Sequence, residues 1–180
     1  TCALPISLAV PLLSLQAWWG VQQYEEAREG AEINALGIAD AAALGVRQFL
    51  GQAEELMSAS SERLANSTTD AETCRQGVDA VADFIPLFDN VMVVGRDGSV
   101  FCSHIELSGP MSVTSWPWFD QVWERPGFWV GGPQRVHRRD ISGDWHLPLI
   151  LTLYSASGEF NGALVAQVDL IDLGDYIGVA

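Results

Sequence analysis

Up to Ile85 the apolar residues of this chain recur at intervals of three and four; beyond Asp89 they alternate, or run in short blocks cut by turn residues. A change of period from 3.6 to 2 along one chain means helices first and strands afterwards. In residues 25–63, Val46, Phe49, Leu50, Ala53, Leu56 and Met57 make one side of a long amphipathic helix. Gly30, Gly37, Gly45 and Gly51 each cost such a helix about 1 kcal/mol relative to Ala, so it needs a partner to pack on. Residues 66–70 break it, and a shorter helix is predicted over 71–84, with Val78, Val81 and Ala82 on one face and Pro86 just past its end. Strands follow over 91–94 and 100–103, joined through Gly95-Arg96-Asp97-Gly98, and then over 134–139, 145–154 and 162–170. Helices followed by strands in hairpin succession imply an α+β fold: a five-stranded antiparallel sheet with a long and a short helix packed on it.

The first 24 residues carry no charge, and four Glu follow within the next eight positions. As a helix, that head reaches roughly 36 Å, enough for a hydrocarbon core of about 30 Å, and Trp18, Trp19 and Tyr24 fall where interfacial aromatics belong. A spanning helix over 1–24 is therefore expected, against the alternatives of a signal peptide core or a buried helix; Pro5 and Pro11 weaken any of the three. The chain divides on this reading into residues 1–24 in the membrane, a membrane-proximal helix over 25–65 and a folded core over 66–180. The composition narrows the partners. Nine cations, all Arg, against 23 acids give a net charge of -14, which repels nucleic acid at long range.

No nucleophile elbow, phosphate loop or Cys-x-x-Cys occurs, and His104, His137 and His146 lack zinc-type spacing, so neither catalysis nor a metal or other cofactor is expected. Cys74 and Cys102 lie in polar segments, apart from Cys2 in the apolar head. They are either a pair, closing a loop worth on the order of 3–4 kcal/mol in an oxidising compartment, or two unrelated thiols.

Several signals then coincide in order. After the apolar head and long helix come Cys74-Arg75-Gln76-Gly77 opening a helix, and Asp89-Asn90-Val91-Met92-Val93-Val94-Gly95-Arg96-Asp97-Gly98-Ser99-Val100-Phe101-Cys102-Ser103, a strand, an Asp-Gly turn and a Cys-Ser strand end. Ser115-Trp116-Pro117-Trp118-Phe119, Val130-Gly131-Gly132-Pro133 and a closing strand around Gly162-Ala163-Leu164-Val165-Ala166-Gln167-Val168-Asp169 follow. In this order and spacing the chain resembles the Cache family, the PAS-like extracytoplasmic sensor domains of bacterial transmembrane receptors. The resemblance implies a Cys74–Cys102 disulfide and a ligand pocket between the sheet and the loops crossing it. It also implies a long helix that carries the signal and a homodimer. It places Trp118, Phe119 and Asp169 at the pocket. Where relatives that bind amino acids or amines carry an acidic residue and an Arg, this chain has Ser115 and Trp116, so their carboxylate clamp is missing.

Between Trp116 and Trp145 stand five Trp and two Phe, enough for an aromatic box in which Trp116, Trp118, Phe119 and Trp129 hold a ligand and Asp169 supplies a counter-charge; the competing reading is core packing. Arg135, His137 and Arg139 alternate onto one side of a strand, either as a cationic strip for an acidic ligand or as solvated edge charges. The expectation is a periplasmic ligand-sensing domain over 25–180, anchored in the inner membrane. Its ligand is a small amine, amino acid or organic acid, and its output a sensor histidine kinase, or alternatively a diguanylate cyclase. A membrane-anchored adhesion module whose Trp cluster holds a glycan is the reading from a different class.

Overall fold

A computed structural model describes residues 4–66, 70–107, 109–135, 145–155 and 157–178, without the side chains of 4–17, 20, 21 and 23–35. The chain forms two compact units, Thr1–Leu44 and Gly45–Ala180. Among its described residues the first is helix: α1 runs Leu4–Asn66 and ends in the second unit. Helix therefore starts well before residue 25, across Pro5 and Pro11. Among the residues whose side chains are described, no helix is long and apolar enough to cross a membrane; the apolar head, on which the expectation of a spanning segment rests, lies outside that set.

In the second unit α2 spans Ala71–Phe84, as its periodicity predicts. Asp70 caps it, its carboxylate accepting from the backbone N–H of Glu72 and Thr73 at 3.3 and 3.2 Å and from the Thr73 hydroxyl. These bonds hold the Asp70 carboxyl below the usual carboxylate range, the Thr73 hydroxyl contributing most. The strands are β1 (Phe88–Val94), β2 (Val100–Ser103), β3 (Phe128–Val130), β4 (Gln134–Arg135), β5 (Trp145–Tyr154) and β6 (Phe160–Asp169), followed by α3 (Leu170–Tyr176). All pairings are antiparallel, in the order β2-β1-β6-β5-β3, with β4 also on β5.

The α+β, PAS-like architecture expected from the sequence is thus present with one correction. The sheet has six strands rather than five, because Phe128–Val130 inside the Trp-rich segment pairs with β5. Three residues are too few to show a period, so this strand is invisible until its partner is in place. The strand expected over 134–139 is described only as Gln134–Arg135; positions 136–144 lie outside the described residues.

The β1–β2 turn is built as its residues dictate. Gly98 takes φ +79°, the left-handed region that Gly enters without steric cost, and Asp97 Oδ1 accepts from the Ser99 backbone N–H and hydroxyl at 3.0 and 2.6 Å. The Ser99 hydroxyl, then its N–H, keep the Asp97 carboxyl low.

One sheet face packs on the helices. Val91, Val93, Leu149, Leu151, Leu164 and Ala166 meet Phe49, Ala53, Met57 and Leu64 of α1 and Val78, Val81 and Ala82 of α2 in one buried cluster. The expected disulfide joins α2 to β2 on this side: Cys74 and Cys102 are bonded, with Cα atoms 6.0 Å apart.

Candidate functional site

Because side chains alternate along a strand, the residues between those core positions face the opposite way, and there the sheet changes character from one end to the other. At one end, neighbours across the strands are Met92, Val165, Ile150 and Trp129. One step along, Asn90, Gln167 and Pro148 lie side by side. A further step brings Asp169, His146 and Gln134 into line. An apolar row thus grades into two polar rows on a surface that is nevertheless buried: Asn90, Gln134, His146 and Gln167 are all at most 9% exposed.

A roof of aromatic residues covers the apolar end. Pro117 and the short 3-10 turn Phe119–Gln121 fold the Trp-rich segment back over the sheet, where Trp118, Phe119, Val122 and Val113 pack on Met92, Val94, Ile150 and Val165. The rings meet edge to face, Trp116 on Trp118 at 5.7 Å, Trp118 on Phe119 at 6.4 Å and Phe119 on Trp123 at 5.4 Å, the offset arrangement that aromatic quadrupoles prefer.

The polar rows form a network with a definite sense. Asn90 Oδ1 accepts from the Ser103 hydroxyl at 3.0 Å and the Ile105 backbone N–H at 3.2 Å, so the amide nitrogen of Asn90 must point the other way, where it donates to Gln167 Oε1 at 3.4 Å. Gln167 Oε1 is thereby committed, and its Nε2 is left buried with no partner. Three further buried nitrogens share this condition, Nε1 of Trp118, Nε1 of Trp129 and Nε2 of Gln134. All four belong to this face and its roof. His146, 3% exposed, places Nε2 3.2 Å from Asp89 Oδ2 and 3.9 Å from Asp169 Oδ2.

The site residues expected from the sequence separate into three groups. Trp116, Trp118, Phe119 and Trp129 belong to one hydrophobic cluster on this face, Trp129 from β3 and the others from the roof, with Trp118 buried to 1% and Trp116 and Trp129 half-buried. Asp169 lies at the polar end, but its first task is structural: Oδ1 caps α3, accepting from Ile171 N–H at 2.6 Å and Asp172 N–H at 3.3 Å. Arg135 points away from its neighbour Gln134, lying exposed over the Trp145 ring at 5.1 Å, and so stands outside this face. His137 lies outside the described residues.

Asn90, Gln134, His146 and Gln167 are the positions that sequence reasoning missed. A signal was available: Gln167 and His146 stand in strands made mostly of hydrocarbon, and a polar residue buried there must find a partner inside the fold.

A groove of about 540 Å³ opens on the helix side, lined by Phe49, Leu56, Phe84, Ile85, Leu87 and Tyr176 among others. Its lining is mostly apolar but includes Gln52 and Glu55, and none of the partnerless buried nitrogens belongs to it.

No family model matches this chain, and no curated protein matches it. Solved structures do. The ligand-binding domain of the Campylobacter jejuni chemoreceptor Tlp3, solved with 4-methylisoleucine, superposes with a TM-score of 0.60 at 13% identity over 77% of this chain and 58% of that one. The same receptor's sensory domain with isoleucine bound gives 0.59 at 14% identity over 78% and 59%. The extracellular domain of vpHK1S-Z8, assigned as a histidine kinase, gives 0.68 at 12% identity over 83% and 62%. At these identities the likeness is one of fold, and the fold is that of extracellular sensory domains, as the Cache resemblance implies. The chain spans about three-fifths of the length of these solved domains.

Proposed function

We propose that this chain is the extracytoplasmic ligand-sensing domain of a signal-transduction receptor and that its ligand, a small amino acid or close analogue, sits between the aromatic roof and the polar rows of the outer sheet face. One observation carries the reading: a buried face graded from hydrocarbon to amide, imidazole and carboxylate, closed by a loop segment rather than by a helix. A ligand with an apolar end and a polar end matches that gradient, and loop-covered faces are where binding residues concentrate.

Sensing needs a ligand that prefers one packing of the domain over another by about 1–3 kcal/mol. Strands β1, β5 and β6 carry both the proposed site and, on their reverse side, the residues that grip α1, so a shift on one face is felt on the other through strands a few ångströms thick. We place the receptor in the bacterial inner membrane, tethered by the uncharged head and acting as a homodimer with a histidine kinase output, a diguanylate cyclase being the alternative. The extracellular domain of vpHK1S-Z8 among the solved likenesses and the exposed Trp18 and Trp19 support this arrangement.

The test is a thermal-shift titration of the 180-residue chain with aliphatic amino acids, amines and organic acids. A ligand bound to the folded state raises the melting temperature by mass action. Trp118→Ala should abolish that rise while the far-ultraviolet circular dichroism stays that of the parent; a rise that survives the substitution removes Trp118 and its roof from the site.

A further inference from the structure

Asp169 ends β6 and opens α3, and its two carboxylate oxygens serve different parts of the fold. Oδ1 accepts from the Ile171 and Asp172 N–H groups at 2.6 and 3.3 Å, capping α3, while Oδ2 lies 3.9 Å from His146 Nε2 in the polar row of the outer sheet face. The helix so capped is marginal on local grounds. It has seven residues, where isolated helices shorter than about 12–15 are barely stable in water. Gly174 stands inside it, no basic residue occupies its last turn, and Asp175 sets a negative charge beside the negative end of its dipole. What holds α3 is the Asp169 cap at one end, the buried Leu173 and its packing on α1 at the other. There Tyr176 meets the Phe49 ring at 6.3 Å, and Ile177 lies where Gly45 leaves out a side chain, an added Cβ coming 3.3 Å from Ile177 Cγ2.

Resting on the sensing role proposed above, we infer that Asp169 is a positioning residue through which occupancy of the polar row tightens α3 against α1. A donor group of the ligand at Oδ2 restrains the carboxylate in the rotamer that turns Oδ1 to the cap, so no bond of the cap has to break. An N-cap is worth roughly 2- to 30-fold in the equilibrium of its helix, which overlaps the range of about 5- to 150-fold typical of coupling between two sites. α3 is then the two-state element, frayed or docked, that the ligand biases from one end and α1 from the other. Coupling of this kind is reciprocal: whatever favours docked α3 must also tighten the ligand. That consequence can be read at a residue of α3 that has no part in the polar row.

Gly174→Ala is the decisive substitution. Its added Cβ meets no atom within 4 Å, and Ala favours a helix over Gly by about fivefold. In the 180-residue chain it should tighten the binding of L-isoleucine by about two- to fivefold. Gly51→Ala, an equally open position within α1, should raise the melting temperature and leave that affinity unchanged. Saturating L-isoleucine should slow amide hydrogen exchange over residues 171–177 by about twofold or more relative to the amides of α2, and move the ¹H–¹⁵N resonances of Gly45 and Phe49. Asp169→Ala should speed the same exchange, and Asp169→Asn, whose side chain also caps, should return it towards the parent. Equal affinity of the parent and Gly174→Ala, or α3 exchange that saturating L-isoleucine leaves unchanged, overturns the inference while the thermal shift still attests a ligand site. If L-isoleucine gives no thermal shift at millimolar concentration, the amino-acid reading fails and the ligand-free chain decides the inference. His146→Gln then alters the polar row beside Oδ2. A change of about twofold or more in exchange over 171–177, measured against α2, upholds the link from polar row to α3, and α3 exchange that merely follows α2 overturns it.

Discussion

On the face turned to the helices, Val91, Val93, Leu149, Leu151 and Leu164 meet only hydrocarbon and a disulfide; on the reverse of the same strands, Asn90 and Gln167 sit two residues from Met92 and Val165, and His146 four from Ile150. Both faces are buried, but with opposite consequences for satisfaction. Among the described residues the helix side leaves no buried side-chain nitrogen or oxygen without a protein partner, whereas the roofed side holds the four that lack one. A face that is complete in itself holds the fold. A face that is closed to water and still incomplete is suited to a guest. Burial alone would have made the two look equivalent; the count of unmet hydrogen bonds separates them.

The comparison makes predictions that differ in size. The largest effect is expected at the centre of the helix-side cluster: Leu164→Ala should lower unfolding free energy by about 2–5 kcal/mol in urea titration, with the affinity for any ligand of the roofed face unchanged. Loss of affinity comparable with that at Trp118 would show that the faces are not separable. Next, Cys74→Ser with Cys102→Ser opens a loop of 28 residues and should cost roughly 3–4 kcal/mol, measurable as a lower melting temperature, again with ligand-induced stabilisation retained. Gly162 sits in β6 at φ +147°, where an added Cβ would lie 2.3 Å from the Val94 carbonyl oxygen. Gly162→Ala should therefore cost about 1–3 kcal/mol by forcing β6 away from β1, and it should disturb both faces at once. The smallest effect is at the α2 cap. The Asp70 carboxyl is held below its ordinary range in the folded state, so its contribution is present above that range and is lost as the pH falls through it. Asp70→Ala should lower the melting temperature slightly at neutral pH and hardly at all in acid; an equal loss at both would deny the cap its charge.

Much of the fold was legible because it rests on local chemistry. The break over 66–70, Pro86 and the stripe of Val78, Val81 and Ala82 delimit α2, and Asp97-Gly98 writes the β1–β2 turn. The long helix was legible in kind, and Pro5 and Pro11, which weaken any helix, do not interrupt it: helix covers the segments expected at 1–24 and 25–65 from Leu4 onward. Of the site, the aromatic roof showed itself through composition, Trp118 and Phe119 above all. The polar rows did not. Arg135 shows the difficulty in one residue: charge made it the more conspicuous of a neighbouring pair, yet strand alternation turns Gln134 inward and sends Arg135 out to the Trp145 ring.

What the sequence determined by itself was the order and type of most of the elements, because turns and periodicity act over a few residues; the Cys74–Cys102 pairing was implied only by the family resemblance. The tertiary structure alone decided which polar groups are left over. Gln167 lacks a partner for its nitrogen only because Asn90, 77 positions earlier, takes its oxygen, and Asn90 turns that way only because Ser103 and Ile105 occupy its own. Hydrogen bonding is a matter of capacity, and how much capacity remains at any residue is known only when strands distant in the chain have been laid side by side.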